Sequence, residues 1–201
     1  DDGIKLLETL KIEQAHILGT SMGGMIAQII CAQYPEKVKS FTLIASTAST
    51  PSPINAPSKP VRELMMARSK NPNASAEEVI KREIKIVSLI GMENRVVDTP
   101  EFREETIKNL NRAKDGSGYA RQLLSILASR DRLKKIQKIE APTLIIHGKH
   151  DPMIHIKNAY KMHKLIPRSK LKIIEQMRHL IEPEILLQFE DDLLEHLRLA
   201  S

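Results

Sequence analysis

The chain of 201 residues has one cysteine, Cys31, no tryptophan, and three residues each of tyrosine and phenylalanine. One cysteine cannot close an intrachain bridge, so a disulfide scaffold is excluded. The few aromatics are not interleaved with basic residues, and the stacking platforms of a single-strand or RNA binder are missing. No apolar run approaches the ~18 residues of a membrane span. The opening Asp1-Asp2-Gly3-Ile4-Lys5 has neither the basic start nor the apolar stretch of a signal peptide. A reducing, cytoplasmic compartment is therefore the default expectation, with no membrane and no nucleic acid among the partners. The excess of 31 Lys and Arg over 25 Asp and Glu leaves a net charge of +6. Stretches such as Glu77-Glu78-Val79-Ile80-Lys81-Arg82-Glu83 interleave the two signs, which reads as a solvated helix face and not as a basic footprint.

What is present is the composition of an ordinary globular protein, 41% hydrophobic and 28% charged. Apolar spacing predicts a short helix over 3–10, a buried strand at Ala15-His16-Ile17-Leu18, and a helix from Met22 to Tyr34 closed by Pro35. In that helix Met25, Ile26, Ile29, Ile30 and Ala32 recur at helical spacing. A second strand follows over 38–45, and strand–turn–helix–strand is a βαβ unit that predicts a parallel sheet. Residues 47–60 are rich in proline and serine, a connector. Only helical patterns come next, over 61–70, 76–90, 101–114 and 118–135. Ser75 with Glu78 forms a capping-box pattern at the second, and Leu123, Leu124, Ile126 and Leu127 give the fourth an apolar face to bury. The βα rhythm resumes with a strand over 143–148, a helix over 156–165, a last strand over 170–175 and a C-terminal helix over 183–199. The expectation is an α/β fold: a mostly parallel four-strand sheet with flanking helices, its core split into 1–46 and 138–201 by a connector and helical cap at 47–137.

The stretch Gly19-Thr20-Ser21-Met22-Gly23-Gly24 fits G-x-S-x-G between an apolar strand and a helix. That context is what the motif's chemistry requires. A serine on a sharp strand-to-helix turn projects its hydroxyl above the sheet, and flanking glycines remove Cβ atoms that would clash. Serine is unreactive alone; it needs a base, and the base needs an orienting acid. Asp151 follows the strand that ends at Gly148, and His179 follows the last strand, so all three emerge at one edge of a parallel sheet. The rival acid position after Ala45 holds Ser46-Thr47-Ala48-Ser49 and no carboxylate.

On these residues, with His147-Gly148-Lys149-His150-Asp151-Pro152 and Met177-Arg178-His179, the chain resembles the C-terminal two-thirds of the α/β-hydrolase superfamily. The elbow and the four-helix insertion are similar to small esterases and lactone hydrolases related to aclacinomycin methylesterases and enol-lactonases. The resemblance implies a Ser21–Asp151–His179 triad under a helical cap, cleaving a carboxylic ester or lactone through an acyl-enzyme on Ser21 with no cofactor. The Met22 backbone N–H would be one oxyanion donor; the loop that carries the family's second donor is absent from this chain. Perhydrolysis or C–C bond hydrolysis on the same three residues, and a non-catalytic ligand-binding member of the fold, remain as alternatives. Where the family has glycine before the histidine, this chain has Arg178, which either displaces the histidine loop or brings a cation to the pocket. With no strand available on its far side, the strand at 15–18 is expected to be an exposed edge that invites self-association.

Other side chains have blander expectations. His147, His150, Asp151 and His155 sit at positions that point different ways, so no metal site is expected. His16 and His163 read as packing or surface residues, and His196 as a weak rival base. Cys31 reads as a small buried apolar residue. Met22, Met65, Met66 and Met153 are the expected substrate-binding methionines, an adaptable lining for an apolar group.

Overall fold

The computed structural model describes residues 2–200 apart from 51, 53–55, 71–73 and 113–116. Asp1, part of the 47–60 connector and the end of the expected 101–114 helix lie outside the described residues. The elements run α1 (Asp2–Thr9), β1 (Ala15–Thr20), α2 (Met22–Gln33), β2 (Val38–Ile44), α3 (Lys59–Lys70), α4 (Ala76–Ile90), α5 (Pro100–Arg112), α6 (Gly118–Ala128), α7 (Leu133–Ile136), β3 (Thr143–Gly148), α8 (Lys157–Leu165), β4 (Ser169–Ile174), α9 (Pro183–Leu186) and α10 (Glu190–Arg198). The four strands form one sheet in the order β1-β2-β3-β4, every pair parallel. Among the described residues, no helix is long and apolar enough to cross a membrane.

Strand burial follows position in the sheet. Every residue of β3 is buried, as a central parallel strand covered on both faces requires. β1 pairs with β2 alone among the described strands, and Leu18 is 54% exposed there. One core cluster, including Phe41, Leu43, Ile145 and Met162, lies between the sheet and α2, α7 and α8. A second, with Ile146, Met177, Ile185 and Phe189, fills the other face.

Packing corrects two helical expectations and sets the buried face of α2. The stripe of α2 that faces the sheet is Gly24, Ala27, Gln28 and Cys31, whereas Ile26 is 53% exposed. The reason is close approach: a Cβ on Gly24 would meet Leu43 Cδ1 at 2.6 Å and Ser46 Cβ at 2.7 Å. The helix expected over 118–135 breaks after Ala128 and restarts at Leu133, because Arg132 is drawn into the interior, its amide bonded to the Ala48 carbonyl at 2.7 Å. The C-terminal helix breaks likewise, at 187–189, where Phe189 turns inward and is 1% exposed. The apolar face of the 118–128 helix is only partly covered, with Leu123 and Ile126 half-buried and Leu124 exposed. The capping box at α4 is formed, Ser75 accepting from the Glu78 amide and Glu78 from the Ser75 amide.

Candidate active site

Ser21 joins the C-terminal end of β1 to the first turn of α2 with φ 50° and ψ −118°. A positive φ in a residue with a side chain costs of order 1–3 kcal/mol and persists only where its surroundings impose it. Here they do. The Ser21 amide donates to the Ile44 carbonyl at 2.9 Å, and the Ser21 carbonyl accepts from the Met25 amide at 3.2 Å and the Ser46 hydroxyl at 2.7 Å. A Cβ on Gly19 would lie 2.6 Å from the Gly23 carbonyl oxygen, so the strand and the helix meet backbone to backbone. The motif's second glycine plays no such part: a Cβ on Gly23 would meet nothing within 4 Å, and Gly24 carries that constraint instead.

Asp151 follows β3 and is buried, its Oδ1 accepting from the amides of Met153 and Ile154 at 2.8 Å each. Its Oδ2 accepts from His179 Nδ1 at 2.8 Å. A carboxylate only accepts, so the proton of the neutral imidazole sits on Nδ1 and the Nε2 lone pair faces Ser21, whose hydroxyl donates to it at 3.1 Å. The three residues are thus one hydrogen-bonded chain drawn from β1, β3 and β4, and the buried carboxylate is fully supplied with N–H donors. The end of β3 and the loop after β4 nearly touch: a Cβ on Gly148 would fall 2.0 Å from the Arg178 carbonyl oxygen.

The His179 loop is also tied to the cap. Its amide and that of Leu180 donate to the Ile90 carbonyl, at 2.8 and 3.2 Å, where α4 ends. Arg178 does not enter the cavity beside Ser21. It donates to the Leu89 carbonyl at 3.2 Å and approaches Glu93 at 3.8 Å, so it reinforces the same tie. Glu182, buried, accepts from the Met92 amide at 2.8 Å and pairs with Arg95 at 3.3 Å.

A cavity of about 150 Å3 adjoins Ser21, roofed by Met65 of α3 and by Leu123, Ile126 and Leu127 of α6. Met153 lines it as well. Two of the expected methionines are elsewhere. Met66 is 47% exposed and lies with Arg62 and Glu63. Met22 lines an adjoining groove with Ile26 and Ile29, which shares Met25, Ile126, Ser129 and Arg132 with the cavity. On a helix, consecutive residues project about 100° apart, so adjacent Met65 and Met66 cannot both face one cavity. Met25, beside the elbow, lines the cavity too. Sequence reading missed Thr47 and Arg132, which also line it; the first carried no pattern, and the second sits in a stretch read as helix.

Five of the remaining six histidines make a hydrogen bond among the described residues. His147, buried, donates through Nε2 to the Ile154 carbonyl at 2.7 Å and lies 3.4 Å from Asp151 Oδ2. His150 and His155 are exposed, and among the described residues no three His, Cys, Asp or Glu side chains converge as metal ligands. His196 bonds the Phe41 carbonyl at 3.1 Å, at the middle of β2, and does not line the cavity beside Ser21. His16 and His163 pair with Ser40 and Ser169. Burial pushes the Cys31 thiol up to about 12, which leaves no thiolate at neutral pH.

Burial also holds the His147 pKa below its ordinary value, against the smaller opposing pull of Asp151. The unfolded chain takes a proton near pH 6.5 that the folded chain refuses. Its contribution to stability is therefore intact above about pH 6.5 and is lost as pH falls below it, since the unfolded state then binds more protons. His196, also lowered by burial, adds in the same direction. The urea midpoint should fall between pH 7.5 and 5.5, and His147→Gln should flatten that slope.

The profile of the alpha/beta hydrolase fold matches residues 2–182. The chain is 26% identical over 188 residues to monoacylglycerol lipase ABHD6 of Mus musculus, covering 90% of this chain and 54% of that protein. It is also 26% identical over 174 residues to 3-oxoadipate enol-lactonase 2 of Acinetobacter baylyi, covering 87% of this chain and 60% of that one. Among solved structures, the meta-cleavage product hydrolase of Pseudomonas fluorescens IP01 superposes with a TM-score of 0.78 at 20% identity, covering 98% of this chain and 70% of that one. The chain spans about half the length of the first curated relatives it matches. A profile matched over most of the sequence, a parallel sheet with flanking helices, and a serine on a strained strand-to-helix turn lead to one assignment: this chain belongs to the α/β-hydrolase fold family.

Proposed function

We propose that the protein is a serine hydrolase that cleaves a carboxylic ester or lactone. The observation that carries this reading is the unbroken chain from Asp151 through His179 to Ser21, with Nδ1 engaged by the carboxylate and Nε2 left to take a proton. Ser21 Oγ attacks the carbonyl carbon while its proton passes to His179 Nε2. Asp151 holds the ring in the required tautomer and stabilises the imidazolium that forms. The developing oxyanion meets the Met22 amide, one of the first amides of α2, which have no intrahelical acceptor. Collapse of the tetrahedral intermediate breaks the bond to the leaving alkoxide, which takes the proton from His179 and leaves an acyl group on Ser21. Water, losing a proton to His179, then attacks the acyl carbon; the C–Oγ bond breaks, Ser21 recovers a proton and the acid departs.

The test is covalent. A fluorophosphonate probe should label Ser21, identified by peptide mass spectrometry, and abolish turnover of short p-nitrophenyl esters. Labelling without any ester turnover would favour C–C bond cleavage or another acyl chemistry on the same residues; no labelling would leave a ligand-binding member of the fold.

A further inference from the structure

The surface of the cavity beside Ser21 is mostly apolar, but one hydrogen-bonded cluster on it is polar. Thr47, Ser49, Ser129 and Arg132 line it there. Arg132 is only 4% exposed, and everything its guanidinium touches is neutral. Nε donates to Gln28 Oε1 at 3.2 Å, Nη2 to the Thr47 carbonyl at 3.1 Å, and Nη1 to Ser129 Oγ at 3.3 Å and the Arg130 carbonyl at 3.4 Å. All four are longer than the ~2.7–2.9 Å of an N–H bonded to a carboxylate, and one of the five N–H groups has no acceptor among the described residues. Asp131, the neighbouring carboxylate, is turned to the Leu133 amide at 3.3 Å. A second cation stands behind the cluster: Lys161 Nζ lies 3.5 Å from Ser49 Oγ. No ion pair among the described residues includes either cation.

The neighbouring Asp131 carboxylate offsets part of the cost of burying the Arg132 cation without hydrogen-bonding it, and a bound anion would offset more. Desolvation accordingly holds the Arg132 pKa below its ordinary value. Ser21 lines the cavity but His179 does not. The leaving alcohol takes its proton from His179, so the part of the substrate inside the cavity is the part that stays on Ser21. At about 150 Å3 the space suits a short chain.

We infer that the cluster formed by Arg132, Ser129 and Ser49 is a carboxylate subsite, and that the preferred substrate is an ester whose short acyl chain ends in a free carboxylate. This rests on the reading of Ser21 as the nucleophile. The acyl carbonyl meets Ser21 and the Met22 amide, while the distal carboxylate takes the unused N–H of Arg132.

Two esters with the same leaving group and nearly the same chain test it: p-nitrophenyl hydrogen glutarate and p-nitrophenyl pentanoate. The purified protein should prefer the hemiglutarate by about tenfold or more in kcat/KM. Arg132→Gln should lower the ratio of kcat/KM for the hemiglutarate to that for the pentanoate by about tenfold or more, while Arg132→Lys keeps part of the preference. A wild-type preference for pentanoate overturns the subsite and needs no variant. So does an equal loss on both esters in both variants, which would make Arg132 a structural strut. Either result leaves the Ser21 reading standing. Failure to turn over either ester overturns both.

Discussion

Replacing Ser21 or His179 with alanine should abolish ester hydrolysis, lowering kcat by about 10⁶-fold, with KM little changed. The size follows from the way the two atoms act as a unit. Without Oγ there is no nucleophile and no acyl-enzyme. Without Nε2 the hydroxyl keeps its proton and stays unreactive. Residual turnover of about 10³–10⁴ over water would come from substrate binding and the amides of α2. The double variant should be no worse than either single one, a non-additivity that separates a cooperating pair from two independent contributions. Steady-state and burst kinetics with p-nitrophenyl acetate would measure it. Turnover within tenfold of wild type in Ser21→Ala would remove the nucleophile from the mechanism.

Asp151→Asn should lower kcat by about 10⁴-fold while leaving the fold intact. The carboxylate makes two kinds of hydrogen bond, and they respond differently to an amide. Its Oδ1 accepts from the Met153 and Ile154 amides, which an amide oxygen can still do. Its Oδ2 accepts from His179 Nδ1. With nitrogen there, the amide donates to His179, reverses the tautomer and puts the ring proton on Nε2, against the serine hydroxyl. Circular dichroism and the urea midpoint should change little while activity falls. A comparable loss of stability would instead make Asp151 chiefly a structural anchor for its loop.

The elements that position these residues were legible because each carries a chemical signal next to a strand signal. Ser21, Asp151 and His179 each follow a compact apolar run, and parallel strands deliver their C-terminal ends to one edge. Helix continuity at 129–132 and 187–189 was not legible. Nothing at either break is a glycine or a proline; each occurs because one side chain, Arg132 or Phe189, goes into the interior, and that is decided by tertiary neighbours. The same cause hid the polar cluster of the cavity. Apolar periodicity located α2 but not its buried stripe, where the small residues Gly24, Ala27 and Cys31 allow close approach to the sheet. Met22 and Met66 were assigned by their place near the elbow and in the cap, which does not give a side chain's direction.

The Ile90 carbonyl, which holds the amides of both His179 and Leu180, also bears on how molecules reach Ser21. If the whole insertion swung away as a rigid door, α4 would drag the imidazole off the serine, and every opening would dismantle the proton path. The doorway therefore belongs to the other side. α3 and α6 wall the cavity through Met65, Leu123 and Leu127 and hold no hydrogen bond to His179 among the described residues. α3 packs against α4, so the insertion is divided between a doorpost, α3 and α4 with Arg178 and Glu182 fastened at the end of α4, and a leaf made of α6. Substrate traffic through the leaf can change without disturbing the geometry of the reacting groups, so the leaf is where substrate range can diversify at least cost to the chemistry.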